Sequence, residues 1–249
     1  LRYFIAFSYF GKSYHGWQNQ PNAITVQEVL EDALSKLLRA SVDVVGAGRT
    51  DAGVHAKEMF AHFDFEHEID LQDLVFRTNA FLPDDVAVKE IFQVHKESHA
   101  RFDATERTYE YWITQKKNPF YQDMAHYVKQ ILDIDSMNAA AKLLLEHEDF
   151  ECFSKSNTDV YTYLCDVRKA IWTIEKDKLV FTISADRFLR NMVRAIVGTL
   201  LNVGNGKFNL DDVQRILKSK DRAQAGASVP AKGLYLTKIV YPKTIIKHE

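Results

Sequence analysis

The stretch GAGRTDAGVHA, Gly46 to Ala56, places three glycines, Arg49, Asp51 and His55 within eleven residues. Glycine at that density means a backbone that turns sharply or lets something approach closely. Loops of this kind, held on a rigid scaffold, are where chemistry tends to sit. An aspartate there can act as a nucleophile or as a general base, and it can equally be a turn residue, since Asp tolerates turn geometry. Familiar patterns do not decide between these. A phosphate-cradling P-loop needs Gly-Lys-Ser/Thr, which does not follow here, and a dinucleotide fingerprint needs a glycine where Asp51 stands and a helix directly after it. An aspartic-protease loop needs Asp-Ser/Thr-Gly, whereas Ala52 follows Asp51.

Three further groups carry possible chemistry. Arg187, Arg190 and Arg194 stand at i, i+3 and i+7, which on one helix makes a single stripe. Such a stripe is either a solvated polar face or an array for phosphate oxygens. Cations at a helix N-terminus oppose its dipole, and the absence of interleaved acids favours phosphate. His95 and His99 have the spacing of a metal pair, but no third ligand is evident and no acid follows the first His as zincins require. Tyr109 and Tyr111 alternate onto one side of a strand, an arrangement common in core packing.

The elements that must position these residues follow from periodicity. Tyr3 to Tyr9 reads as a strand. Thr25-Val26-Gln27-Glu28 is a capping box opening a helix whose Val26, Val29, Leu30, Ala33, Leu34, Leu37 and Leu38 share a face. Strands follow at 43–45, 59–65 and 86–91, with a helix over 71–81. The rhythm then repeats. A strand over 109–114 precedes a helix over 135–146. Strands at 167–174 and 179–184 flank the polar hairpin turn Glu175-Lys176-Asp177-Lys178. A long helix runs from Phe188 to Val203 and stops at Gly204. Asn209 caps a helix through Leu217, and the last strand spans 234–241. Helices between strand groups, twice over, predict an α+β protein. It would consist of two similar ferredoxin-like or RRM-like halves, 1–104 and 105–249, whose antiparallel sheets join into one mixed sheet with a central cleft.

Composition sets outer bounds. The 249 residues, 46% hydrophobic and 27% charged, suffice for a sizeable core. No run of about eighteen apolar residues occurs, and Arg2 to Phe7 is too short for a secretory core. Cys152 and Cys165 are the only cysteines and form no C-x-x-C; read as reduced, they indicate the cytoplasm. A net charge of −2 disfavours a non-specific nucleic-acid binder, so a nucleic-acid role needs a localised basic surface.

Taken together these residues resemble the tRNA pseudouridine synthase A family over nearly the whole chain. The resemblance is carried by Gly16-Trp17-Gln18 with Gln20, by Thr25-Val26-Gln27-Glu28, and above all by Ala47-Gly48-Arg49-Thr50-Asp51-Ala52-Gly53-Val54-His55. It continues through Asn79-Ala80-Phe81-Leu82-Pro83, His99-Ala100-Arg101-Phe102, Tyr109, Met192-Val193-Arg194 with Gly198, and Gly233-Leu234-Tyr235-Leu236. Phe10, before Gly11, stands where members of the family often carry Asp. The resemblance implies the pseudouridine synthase fold and isomerisation of uridine to pseudouridine at nucleotides 38 to 40 of the tRNA anticodon stem-loop. It implies a homodimer with no cofactor and no metal. Asp51 would be the essential carboxylate. Tyr109 would stack on the target base and is a candidate to shuttle the C5 proton. Arg194 would pair with Asp51.

On the same resemblance, Arg49, His55, Arg101, Phe102, Arg107, Arg187 and Arg190 would contact RNA, and Gly48, Thr50, Gly53 and Leu234 would line the pocket. The arginines would line one positive cleft, leaving the acids of Glu66 to Asp73 and of Glu146 to Glu151 outside. The chemistry suits these residue types. A target in a stem must be flipped out at a cost of a few kcal/mol, and an aromatic platform returns ~1–3 kcal/mol by stacking. A carboxylate can attack C1′ or take the C2′ proton; the sequence leaves both open. Two other readings remain: a synthase for a different RNA site, and a tRNA-binding or folding module without catalysis.

Overall fold

The computed structural model describes residues 1–155 and 160–246. In chain order the first part holds β1 (Arg2–Tyr9), α1 (Val26–Leu38), β2 (Val45–Gly46), β3 (His55–Asp64), α2 (Leu71–Phe81) and β4 (Val86–Val94). Then come β5 (Glu106–Thr114), β6 (His126–Tyr127), α3 (Ile134–Lys142), β7 (Val167–Glu175), β8 (Lys178–Ala185), α4 (Met192–Gly204), α5 (Leu210–Ser219) and β9 (Leu234–Val240). The class is α+β, with nine strands and five helices among the described residues. Contacts divide the chain into two compact units, Leu1–Thr105 with Tyr235–Glu249, and Glu106–Leu234. From Tyr235 on, the last strand groups with the first unit.

In the first unit β1 lies between β3 and β4, antiparallel to both, with Phe4 opposite His62 on one side and Phe92 on the other. Tyr3 to Phe7 are all buried, so this strand is covered on both faces. That explains an unbroken apolar run where a half-exposed strand would alternate. β9 extends the sheet by pairing parallel to β3, His55 with Tyr235 and Ala56 with Leu236. α1 buries Val26, Leu30, Ala33 and Leu34, one face at helical spacing. Thr25 Oγ1 accepts the Glu28 N–H at 3.3 Å, the N-cap bond of the two that a capping box comprises.

In the second unit β8 is central, antiparallel to β5 and to β7. β7 and β8 form the expected hairpin, with Lys176 at φ 55 in its turn. Trp172 and Phe181 pack 5.0 Å apart between them. α5 starts with a full capping box, Asn209 and Asp212 exchanging bonds in both directions. Cys152 and Cys165 are buried and free, and burial pushes both thiols up to about 12, the behaviour of inert packing cysteines. Among the described residues, no helix is long and apolar enough to cross a membrane.

Candidate active site

The glycine-rich loop joins β2 to β3. Its start is zipped to the sheet, Val45 opposite His62 and Gly46 opposite Ala61, with the Ala47 N–H donating to Phe60 O at 2.7 Å. From there to Val54 the backbone leaves the sheet and is held by the segment that follows β1. Trp17 N–H donates to Thr50 O at 3.2 Å, and Gly53 N–H donates to Tyr14 O at 3.3 Å. Tyr9 Oη and Thr50 Oγ1 lie 2.8 Å apart. Asp51 closes its own turn by accepting the Val54 N–H at 3.1 Å, and Gly53 takes φ +78, which a residue with a Cβ rarely adopts. Asp51, half-buried, thus sits between fixed points on both sides, while Arg49 is exposed.

Gly16 explains how the loop can lie so close. It has φ +92, and a Cβ there would meet Thr50 O at 2.4 Å, with the Asp51 carbonyl carbon at 3.2 Å and Ala52 N at 3.3 Å. Gly48 is different: a Cβ there would meet nothing within 4 Å, so it faces open space beside Arg49. Thr50 and Gly53, expected in the pocket, serve as the anchored residues flanking Asp51.

The His55 side chain is 1% exposed, its Nδ1 accepts the Gly11 N–H at 2.9 Å, and its ring lies 4.1 Å from Phe10 and 4.7 Å from Tyr235. Stacked on two rings and hydrogen-bonded to the Gly11 backbone, the imidazole packs as part of the scaffold under the loop. Phe10, the departure from the usual family residue, is one of those two rings. The first unit also carries Arg101 and Phe102 on the loop after β4; Phe102 is 73% exposed and the Arg101 guanidinium lies 5.7 Å over its ring.

The second unit holds the other expected residues. Tyr109 on β5, opposite Ile183, is half-buried and meets Phe188 edge-to-face at 5.1 Å. Arg107, two residues earlier, donates from Nη1 to Asp186 O at 2.8 Å. The arginine stripe is corrected: α4 begins at Met192, not Phe188, because Asn191 takes the left-handed φ of 67 and breaks the helical path. Arg187 and Arg190 therefore lie ahead of the helix. The Arg187 N–H donates to Asp186 Oδ1 at 2.7 Å, and Arg190 is exposed. Arg194 alone is helical, with Nε donating to Val229 O at 2.8 Å while its own carbonyl accepts the Val229 N–H. This fixes the direction of its guanidinium. α4 is almost wholly buried, and at Gly198 a Cβ would fall 1.8 Å from Ala227 O, so the helix and the segment ending at Val229 pack backbone to backbone. Leu234 is buried at the start of β9. Among the described residues no group of three His, Cys, Asp or Glu could hold a metal ion.

The residues that sequence reasoning left without a role are Tyr9, Tyr14, Gly16 and Trp17, which hold the loop from below. Gly16-Trp17 stood out only as part of a motif; nothing in its spacing tied it to Asp51.

The family profile described as tRNA pseudouridine synthase matches residues 5–103 and 140–242. The chain belongs to the tRNA pseudouridine synthase family. It is similar to proteins named tRNA pseudouridine synthase A from Parabacteroides distasonis, 52% identical over all of this chain and 99% of the relative, and from Bacteroides fragilis, 50% identical over 99% and 98%. A more distant relative of the same name, from Thermoanaerobacter pseudethanolicus, is 42% identical over 95% of this chain and 98% of its own length.

Proposed function

We propose that Asp51 is the catalytic carboxylate of this protein and that its substrate is the anticodon stem-loop of tRNA, at nucleotides 38 to 40. As a member of its family the protein is an isomerase that converts uridine in tRNA to pseudouridine. The reaction breaks C1′–N1 and forms C1′–C5; the C5 proton is lost and N1 gains one, so no electrons are exchanged with a third party. Asp51 acts at the ribose, on C1′ as nucleophile or on the C2′ proton as base. The observation that carries the assignment is the anchoring of the loop, which holds a half-buried carboxylate between Thr50 and Gly53, each bonded to the segment after β1. Such preorganisation is what a reaction in a fixed geometry requires.

The remaining roles are assigned on the same reading. Tyr109 is the platform for the flipped uracil and the candidate carrier of the C5 proton. Arg194 is the cation that pairs with the Asp51 carboxylate. Arg49 holds the extruded nucleotide, and Arg101, Phe102, Arg107, Arg187 and Arg190 contact RNA. His55 supports the loop and does not touch RNA. Homodimerisation and a cytoplasmic location belong to this reading as well. Stem-loops carrying a single uridine at 38, 39, 40 or a control position test the substrate: pseudouridine is expected only at the first three. Modification confined to other positions would favour the reading as a synthase of a different RNA site.

A further inference from the structure

The loop that presents Arg101 and Phe102 is built on two imidazoles. His62 lies on β3, 5% exposed, and its Nδ1 accepts the Ala100 N–H at 3.1 Å. His99 Nδ1 accepts the Arg101 N–H at 3.1 Å and is 3.4 Å from the Phe102 N–H. Three consecutive backbone donors thus end on imidazole nitrogens. The two rings meet edge-to-face at 4.7 Å. The turn is closed around them: Asp103 N–H donates to His99 O at 3.0 Å, His99 N–H to Asp103 Oδ2 at 2.8 Å, Tyr241 Oη to Ala100 O at 2.5 Å, and Arg2 Nη1 to Ser98 O at 2.9 Å.

This arrangement works only with both rings neutral, since a protonated Nδ1 would aim a donor at a donor. Burial and the Arg2 guanidinium hold both imidazoles below their ordinary range, His62 down to about 4. The charged groups facing them are Arg2 from β1, Asp64 from β3, and Arg101 and Asp103 from the loop itself; Glu97 acts on Arg2.

We propose that His62 and His99 are positioning residues for tRNA binding: as neutral acceptors they fix the backbone of 100–102 so that Arg101 and Phe102 project together, a guanidinium over an aromatic ring, onto a phosphate and an unstacked base. The inference rests on the reading of Arg101 and Phe102 as RNA contacts. Base stacking and phosphate pairing are the chemistry that such a pair offers. An asparagine at position 99 keeps an acceptor three bonds from Cα, where Nδ1 of the histidine stands, as in an Asx turn, and leucine removes it.

The test is steady-state tritium release from tRNA carrying 5-tritiated uridine, with His99→Leu, His99→Asn, a double Arg101→Ala/Phe102→Ala variant, and the triple combination with His99→Leu. The double variant is expected to raise KM for tRNA by about tenfold or more, the size of a lost base stack. His99→Leu is expected to raise KM by several-fold, with the effect in KM and not in kcat. His99→Asn should restore KM, and His99→Leu should add nothing once Arg101 and Phe102 are gone. Wild-type KM should rise as pH falls from 6.5 to 5, opposite to what added positive charge would do for RNA, and His99→Asn should lack that rise. A double variant with unchanged KM would overturn the reading of Arg101 and Phe102 as contacts. A raised KM there, with His99→Leu equal to wild type or His99→Asn no better than His99→Leu, would overturn the positioning role alone. His62→Asn, which keeps the buried acceptor, gives the second measurement: a KM above that of wild type at pH 7 in a folded protein would count against the acceptor as the operative feature.

Discussion

The sharpest consequence of the loop geometry is the effect of one methyl group at Gly16. A Cβ at this position would stand 2.4 Å from Thr50 O, and ordinary contact needs roughly 3.3 Å or more. The carbonyl must therefore retreat by about 1 Å, taking with it the peptide that leads into Asp51 and stretching the 3.2 Å bond from Trp17. A shift of about 1 Å in a reacting group costs on the order of 10²-fold in rate. Holding alanine at φ +92 adds about 1–2 kcal/mol of strain, which lowers Tm by a few degrees for a chain of this length. Gly16→Ala is accordingly expected to fold, to bind tRNA with an affinity within about threefold of wild type, and to lose about 10²-fold in single-turnover tritium release. Gly48→Ala is the control, since its Cβ meets nothing within 4 Å: Tm should be unchanged, and any loss should appear in KM as substrate meeting the new methyl. A folded Gly16→Ala protein with wild-type single-turnover rate would refute the reasoning that this loop must be held to within an ångström.

Two further expectations concern stability. Burial holds the His62 imidazole down to about 4 in the folded protein, against its ordinary 6.5 in the unfolded chain, so below pH 6.5 the unfolded chain binds the extra proton. The contribution is complete above pH 6.5 and is lost as pH falls towards 4, about 3 kcal/mol in all. Urea denaturation at pH 7 and pH 4.5 should show His62→Asn losing less stability than wild type over that interval. Asn79 on α2 clamps β4 through Nδ2 to Val88 O at 2.8 Å and Oδ1 from Val88 N–H at 2.7 Å. Asn79→Ala should cost about 1–2 kcal/mol, read by thermal denaturation, with kcat intact.

Much of the scaffold was legible because its signals are local. The helix over 71–81 and the hairpin between β7 and β8 each lie inside a periodic run bounded by polar residues, and the caps at Thr25 and Asn209 are short-range patterns. The start of α4 was not legible: apolar spacing continues through Phe188 and Leu189, and only the left-handed Asn191 shows where the helix begins. The loop around Asp51 was visible by composition, but its supports were not. Tyr9, Tyr14, Gly16 and Trp17 come from the strand before α1 and the turn after it, and His55 is sandwiched by Phe10 and Tyr235 from opposite ends of the chain. Tertiary contacts of that kind leave no period in the sequence. They decide whether a histidine in a motif faces the substrate or the core.

The most direct test of the account is tritium release from tRNA carrying 5-tritiated uridine by the wild type and by Asp51→Asn, with tRNA affinity measured in parallel. The account predicts release by the wild type, and for Asp51→Asn intact binding with release lowered by about 10³-fold or more. Release by Asp51→Asn at the wild-type rate would contradict it, because the carboxylate would then have no part in breaking the bond.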